Sequence, residues 1–335
     1  MKPFLIGAIA LVSLVANAST EDSPAEALLH NMHQATEQLD YELSYILVRK
    51  NSIEPLRFRH AVVDGKSFGQ IAYLSGPPRE VIRRGDEISY FEPGIDPFTI
   101  QSNQMVAPLP AVMQTNIDHL ATMYDFVPLG RAREAGVACD VVRVSPKDGE
   151  RYSYVLWIDQ DTKLLVRADL LGRDGDPIEQ YRALSVVVSP QVGDMMRQLA
   201  TVELPPVVHL PNKPNTGLNW QVTDLPAGFE PIYRNRHRLL ITERPVESQM
   251  FSDGLFSFSV YLSEADKFSV PEQVVRKGRR TLHSHLVGNA EVTVVGDIPP
   301  ATAKKVAESV RFVSQPKAPA VAEPTTPAES GVETQ

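Results

Sequence analysis

The apolar positions of this chain repeat with two different periods. Ala25, Leu28, Leu29, Met32 and Leu39 recur at helical spacing behind Ser23-Pro24-Ala25-Glu26, a capping box with proline at the first helical position. They predict one amphipathic helix ending near Asp40. From residue 41 the period changes to two. Residues 41–49, 56–63, 68–74, 80–84, 87–91 and 97–101 read as short strands, separated by turn or breaker signals such as Asp64-Gly65, Gly76-Pro77-Pro78, Gly85-Asp86 and Pro93-Gly94. Helical spacing returns over 110–124 through Val112, Met113, Ile117, Leu120 and Met123. Strands resume at 126–131, 139–145, 152–158, 164–171 and 178–188, with Lys147-Asp148-Gly149, Asp159-Gln160-Asp161-Thr162 and Asp174-Gly175-Asp176 between them. Evenly spaced short strands with polar turns predict an antiparallel meander. A parallel sheet needs a crossover helix between strands, and there is no room for one.

Ser189-Pro190 starts a short helix reaching about Ala200. Residues 204–217 then carry Pro205, Pro206, Pro211 and Pro214, which reads as a stiff, extended linker. A second unit follows from Trp220 to Val313, with hairpin signals at Asp253-Gly254 and Gly288-Asn289 and a final helix over 300–310. At the start, Met1-Lys2, an apolar run from Phe4 to Val15 and Ala16-Asn17-Ala18 have the form of a secretory signal peptide cleaved after Ala18. That apolar run falls short of the roughly 20 residues a membrane span needs. The expected division is therefore a signal peptide at 1–18, a β domain at 19–203, a linker at 204–218, an α+β domain at 219–313 and a disordered tail at 314–335.

Composition narrows the function classes. The chain has 335 residues, 41 Asp plus Glu against 33 Lys plus Arg, and a formal charge of −8. Loss of Lys2 with the signal takes this to −9, since no other charged residue lies within 1–18. An acidic balance argues against nucleic acid as the main partner. One cysteine excludes an intramolecular disulfide framework and a cysteine zinc site. That residue, Cys139, sits in a strand-like run and reads as a buried thiol.

No catalytic signature is present: no G-x-S-x-G elbow, H-E-x-x-H, Walker loop or G-x-G-x-x-G. The chain is read as a non-enzyme with no cofactor and no metal. His283 and His285 share a strand face but lack a third ligand, and are read as solvated or packed. His30 and His33, three apart on the first helix, have no companion acid that sequence can identify and are read as surface residues. The aspartates of 159–161 and 174–176 are read as turn formers, since no bidentate Glu follows at loop position 12. What remains is β surface. Phe68, Ile71, Tyr73, Tyr90, Phe91, Phe98, Tyr152, Tyr154 and Trp157 are candidates for lining a lipid pocket between a curved sheet and its helices, or else simply fill the core. Arg276, Lys277, Arg279 and Arg280 are candidates for binding an anionic partner, with a solvated basic turn as the alternative.

Two resemblances carry the reading further. Leu156-Trp157-Ile158-Asp159, Thr162-Lys163-Leu164-Leu165, Asp169-Leu170-Leu171 and Gly175 resemble the central meander of bacterial lipoprotein carriers. That fold is a half-open antiparallel β-barrel with helical lids. The longer run Arg79-Glu80-Val81-Ile82-Arg83-Arg84-Gly85-Asp86-Glu87-Ile88-Ser89-Tyr90-Phe91-Glu92-Pro93-Gly94 is similar to the RseB/MucB family of periplasmic sigma-E regulators. So are residues 148–154, Ser252-Asp253-Gly254-Leu255-Phe256-Ser257-Phe258-Ser259-Val260, and the ending Val295-Gly296-Asp297-Ile298-Pro299-Pro300. This second resemblance spans about residues 25–312. It implies a mainly β, α+β protein: a lipoprotein-carrier-like half-open barrel with helices, then a smaller α+β domain. It further implies a periplasmic negative regulator that binds the periplasmic segment of a membrane-bound anti-sigma factor of the RseA/MucA type. The bound segment is shielded from its first protease, and lipopolysaccharide or another acylated lipid triggers release. A periplasmic lipid or lipoprotein carrier is the alternative. Oligomeric state, including a homo-oligomer, is left open.

Overall fold

The computed structural model describes residues 23–102, 105, 108–208, 217–238, 245–267 and 269–313. The expected signal peptide and tail lie outside the described residues, as does segment 209–216 of the expected linker. The described residues are mainly β, about 52% strand and 17% helix. It divides into two compact units, Met1–Leu210 and Pro211–Gln335.

Unit 1 opens with α1 (Pro24–Gln38), whose N-cap Ser23 accepts a hydrogen bond from the Glu26 N–H at 3.2 Å. Six strands follow: β1 (Tyr41–Arg49), β2 (Ser52–Val63), β3 (Lys66–Tyr73), β4 (Glu80–Arg84), β5 (Glu87–Phe91) and β6 (Phe98–Gln101). The helical spacing over 110–124 resolves into a single 3-10 turn, Ala111–Met113, and a separate α2 (Ile117–Met123). Asn116 explains the division: its side chain caps the second helix by accepting from the His119 N–H. Then come β7 (Tyr124–Glu134), β8 (Val137–Pro146), β9 (Ser153–Asp159), β10 (Leu165–Leu171) and β11 (Pro177–Val188), and finally α3 (Pro190–Arg197).

The eleven strands form one antiparallel sheet in the order β6-β5-β4-β3-β2-β1-β11-β10-β9-β8-β7. Two meanders are thus joined through β1 and β11, with Tyr41 opposite Val188 and Leu47 opposite Tyr181. β6 and β7 are consecutive in the chain yet lie at opposite edges, so the sheet is not closed. This is the half-open architecture that the resemblance implies. The β6 edge is strapped. Thr99 N–H donates to the Pro206 carbonyl, Thr99 Oγ1 to the Pro205 carbonyl, and Val208 N–H back to the Thr99 carbonyl at 2.7 Å. The start of the proline-rich stretch is therefore hydrogen-bonded to the sheet.

Local chemistry sets both faces of this sheet. In β1, Tyr41, Leu43, Tyr45 and Leu47 alternate inward and are buried. Asp64 and Gly65, both at positive φ, turn β2 into β3. Register then places Phe58, His60, Gly69, Ile71 and Arg83 on one face, beneath α1 and the 111–113 turn. Gly69 admits the Met105 side chain, because a Cβ there would lie 2.8 Å from Met105 Cε. The opposite face buries Ala61, Val63 and Phe68 against Val192 and Met196 of α3.

Unit 2 contains β12 (Trp220–Val222), β13 (Glu230–Arg238), β14 (Pro245–Ser252), β15 (Ser257–Glu264), β16 (Glu272–Lys277), β17 (Arg280–Val287), β18 (Ala290–Gly296), α4 (Pro300–Glu308) and β19 (Val310–Phe312). Six of these strands make an antiparallel sheet, β13-β14-β15-β18-β17-β16, while β12 pairs with β19. Phe258 stacks on Phe251 at 5.3 Å and tilts against Phe229 at 5.0 Å. α4 buries Ala303, Val306 and Ala307. This is an α+β unit. No helix among the described residues of the chain is long and apolar enough to cross a membrane.

Candidate functional site

Two cavities lie along α1, one at each end. At its N-terminal end the helix presents small side chains, Pro24, Ala25 and Ala27, with Leu28 beside them. Across the gap stand Pro128, Val141 and Val142 of β7 and β8. The register of β7 against β8 shifts between Pro128 and Gly130, and Gly130 has φ +97°. Proline cannot donate to the ladder there, and the irregularity carries the edge strand out of regular pairing. The result is an open apolar groove of about 410 Å³, within the size range of small-molecule sites. Its polar groups include Asn31 and the Arg131–Asp140 ion pair, 3.4 Å apart. Such a groove can take a flexible apolar group.

The C-terminal end of α1 is packed almost shut. A pocket of only about 30 Å³ remains among Tyr41, Phe58, His60, Arg83, Met105 and Met113. That volume holds water but no acyl chain. His60 is 5% exposed and fixed at both nitrogens. Nδ1 lies 2.8 Å from the Leu39 carbonyl, so it carries the proton and donates. Nε2, 3.0 Å from Ser67 Oγ, then accepts. Burial pushes the ring's pKa down, partly opposed by the Leu39 carbonyl. Tyr41, Tyr45 and Tyr181 are raised well above the ordinary phenol value, chiefly by burial, and stay neutral. Tyr41 donates to the Thr36 carbonyl and Tyr45 to the Pro108 carbonyl, tying the strands to the segments above them.

The nine pocket candidates separate by face. Ile71, Tyr73, Tyr90, Phe98 and Tyr154 lie on the face beneath α1, by strand register. Tyr90 and Phe98 stack at 5.2 Å, and the Arg79 guanidinium sits 3.9 Å over the Tyr73 ring. Tyr152 just precedes β9 and is buried. Phe68, Phe91 and Trp157 face the other way: Phe68 packs on α3, and Trp157 lies under the Arg167 guanidinium beside Val137 and Cys139. None of the nine lines either cavity. The apolar lining of the groove comes instead from small and β-branched residues with Leu28. The signal that could have located it is the pairing of Pro128 and Gly130 in one strand with an alanine-rich first helical turn.

In unit 2, Arg276 and Lys277 are exposed on β16 and lead into a turn at Gly278. Arg279 pairs with Asp297 at 3.1 Å, and Arg280 lies 3.8 Å from the same carboxylate. The four cations are clustered, with one acid partly neutralising two of them. His283 is fully buried, 4.0 Å from Glu272, and burial lowers its pKa. It is a packed residue. Asp159 accepts from the Thr162 hydroxyl at 2.6 Å and Asp174 from the Asp176 N–H at 3.2 Å, so both organise their own turns. Cys139 is buried and its thiol pKa is raised by burial.

Comparison with known proteins gives this architecture a family. Residues 24–208 match the model of the MucB/RseB N-terminal domain, and residues 214–311 that of the MucB/RseB C-terminal domain. The sigma-E factor regulatory protein RseB of Salmonella typhimurium is 46% identical over 298 residues, covering 89% of this chain and 93% of that protein. Its Escherichia coli K12 counterpart is 43% identical over 302 residues, 90% and 95% of the two chains. Among solved structures, the Pseudomonas aeruginosa MucA/MucB complex contains a chain with the same fold: TM-score 0.72 at 24% identity, covering 88% of this chain and all of that one. Two consecutive domain models and such identity over most of the length place this chain in the MucB/RseB family.

Proposed function

We propose that the chain is an exported, periplasmic negative regulator of a sigma-E-type envelope-stress response. It binds the periplasmic segment of a membrane-bound anti-sigma factor and shields that segment from its first proteolytic cut. The observation that carries this reading is the 46% identity, across 89% of the chain, to a protein named as a sigma-E regulator. That the related MucB was solved together with MucA adds support. Arg276, Lys277, Arg279 and Arg280 offer an anionic segment or a lipid phosphate a charged landing place.

Lipopolysaccharide or another acylated lipid is the proposed release signal, and the groove beside α1 is the proposed port for an acyl group. A lipid can release the partner only if it binds the partner-free form more tightly. The groove equally favours a second reading, a periplasmic lipid or lipoprotein carrier. The test is protease protection of the purified periplasmic segment of the cognate anti-sigma factor. Protection by stoichiometric protein, lost when lipopolysaccharide is added, is expected. Cleavage at the same rate with and without the protein sinks the regulator reading. Recovery from periplasm of acylated lipoproteins alone would favour the carrier.

A further inference from the structure

Sequence leaves His30 without a companion acid, yet the fold supplies two. Glu26 and His30 stand four apart on α1, which puts both side chains on one face, one turn above the other. Asp118, in the first turn of α2, meets them from a different part of the chain. His30 Nε2 lies 3.1 Å from Asp118 Oδ1. One ligand atom from each of Glu26, His30 and Asp118 falls within 4.8 Å of the other two. From these positions we infer that Glu26, His30 and Asp118 form a divalent-metal site that clasps α1 to α2.

The donor set specifies the ion class. One imidazole nitrogen with two carboxylate oxygens suits a borderline cation, Zn²⁺ above all, at bonds of about 2.0–2.2 Å. Ligands around a tetrahedral ion of that size stand about 3.3 Å apart. The His30–Asp118 pair already meets that spacing, and rotation of the partly exposed Glu26 side chain supplies the rest. Three protein ligands leave a fourth position for water. Glu26 and His30 are partly buried and Asp118 is exposed, which leaves an entry path. His33, one turn beyond His30, is outside the cluster.

The clasp has a structural reach. Ala25, Ala27 and Leu28 interleave with Glu26 in the first turns of α1, and they form one wall of the apolar groove. A metal joining Glu26 and His30 to Asp118 therefore holds that wall against α2. A His30–Asp118 ion pair alone would bind no metal and would give Glu26 no part.

The test is calorimetric titration of tag-free, full-length mature protein with Zn²⁺, paired with melting curves. One equivalent of Zn²⁺ should bind saturably, be removed by a chelator, and raise the melting temperature. His30→Ala and Glu26→Gln should each weaken binding by at least about tenfold and abolish the metal-dependent rise, as loss of a direct ligand does. His33→Ala should bind as the parent does. Melting curves without metal show that each variant is folded. No saturable binding up to millimolar Zn²⁺, or equal binding by the parent and His30→Ala, overturns the assignment.

Discussion

Helix α1 meets the same sheet at both of its ends and packs closely at only one. Over β1, β2 and β3 its last turn faces Tyr41, Phe58 and His60, and about 30 Å³ is left empty. Over β7 and β8 its first turn faces Pro128, Val141 and Val142, and about 410 Å³ is open. The helix is the same; side-chain volume and strand regularity differ. Aromatic rings in an unbroken ladder fill the space at one end. Alanines opposite an irregular edge strand leave it vacant at the other. One end is filled by the protein's own side chains and the other is left open, because close packing and an open groove cannot occupy the same contact.

The largest effect that should separate the ends is a matched truncation. Phe58 is 5% exposed and meets Tyr41 edge-to-face at 5.7 Å. Phe58→Ala should cost about 3–5 kcal/mol in urea denaturation, since the ring is buried and only a small gap adjoins it. Leu28→Ala at the groove should cost about 1 kcal/mol or less, since that side chain already borders open space. Equal losses would erase the distinction.

A smaller effect tests how the tight end handles charge. Burial holds His60 neutral and lowers its pKa below the ordinary 6.5. The unfolded chain then takes up a proton that the folded chain refuses. Stability from this group is complete above the ordinary value and is lost as pH falls below it. Denaturation midpoints at about pH 7.5 and 5.5 should fall more steeply for the parent than for His60→Gln. A slope unchanged in the variant would mean that the ring is not held neutral.

The smallest effect is expected at the groove rim. Arg131 is 81% exposed in its pair with Asp140. Arg131→Ala should change stability by less than about 1 kcal/mol. A larger loss in the same denaturation assay would show that the rim, like the tight end, supports the fold.

Much of this organisation is legible in the chain. The Ser23-Pro24 cap, the alternation through Tyr41, Leu43, Tyr45 and Leu47, and the Asp64-Gly65 turn are local signals, and each element follows from residues within a few positions of it. The strand face of Phe68, Phe91 and Trp157 was less accessible. Counting aromatics does not say which face each occupies; that requires the register between strands. The groove escaped for a related reason. Its apolar lining is mostly alanine, proline and valine with Leu28, a set with no periodic or aromatic signature, and it opens where Pro128 and Gly130 disturb one edge strand. The meeting of Glu26 and His30 with Asp118 is a tertiary event, brought about by two helices far apart in sequence.

The order of the eleven strands carries a kinetic consequence. β1 through β6 and β7 through β11 each zip by successive hairpins, so both halves close on contacts local in sequence. Only the β1–β11 ladder, with Tyr41 opposite Val188, spans most of the unit. Its loop-closure entropy must be met before its hydrogen bonds contribute. The strand order thus puts the largest loop-closure cost on the seam that joins the two half-sheets.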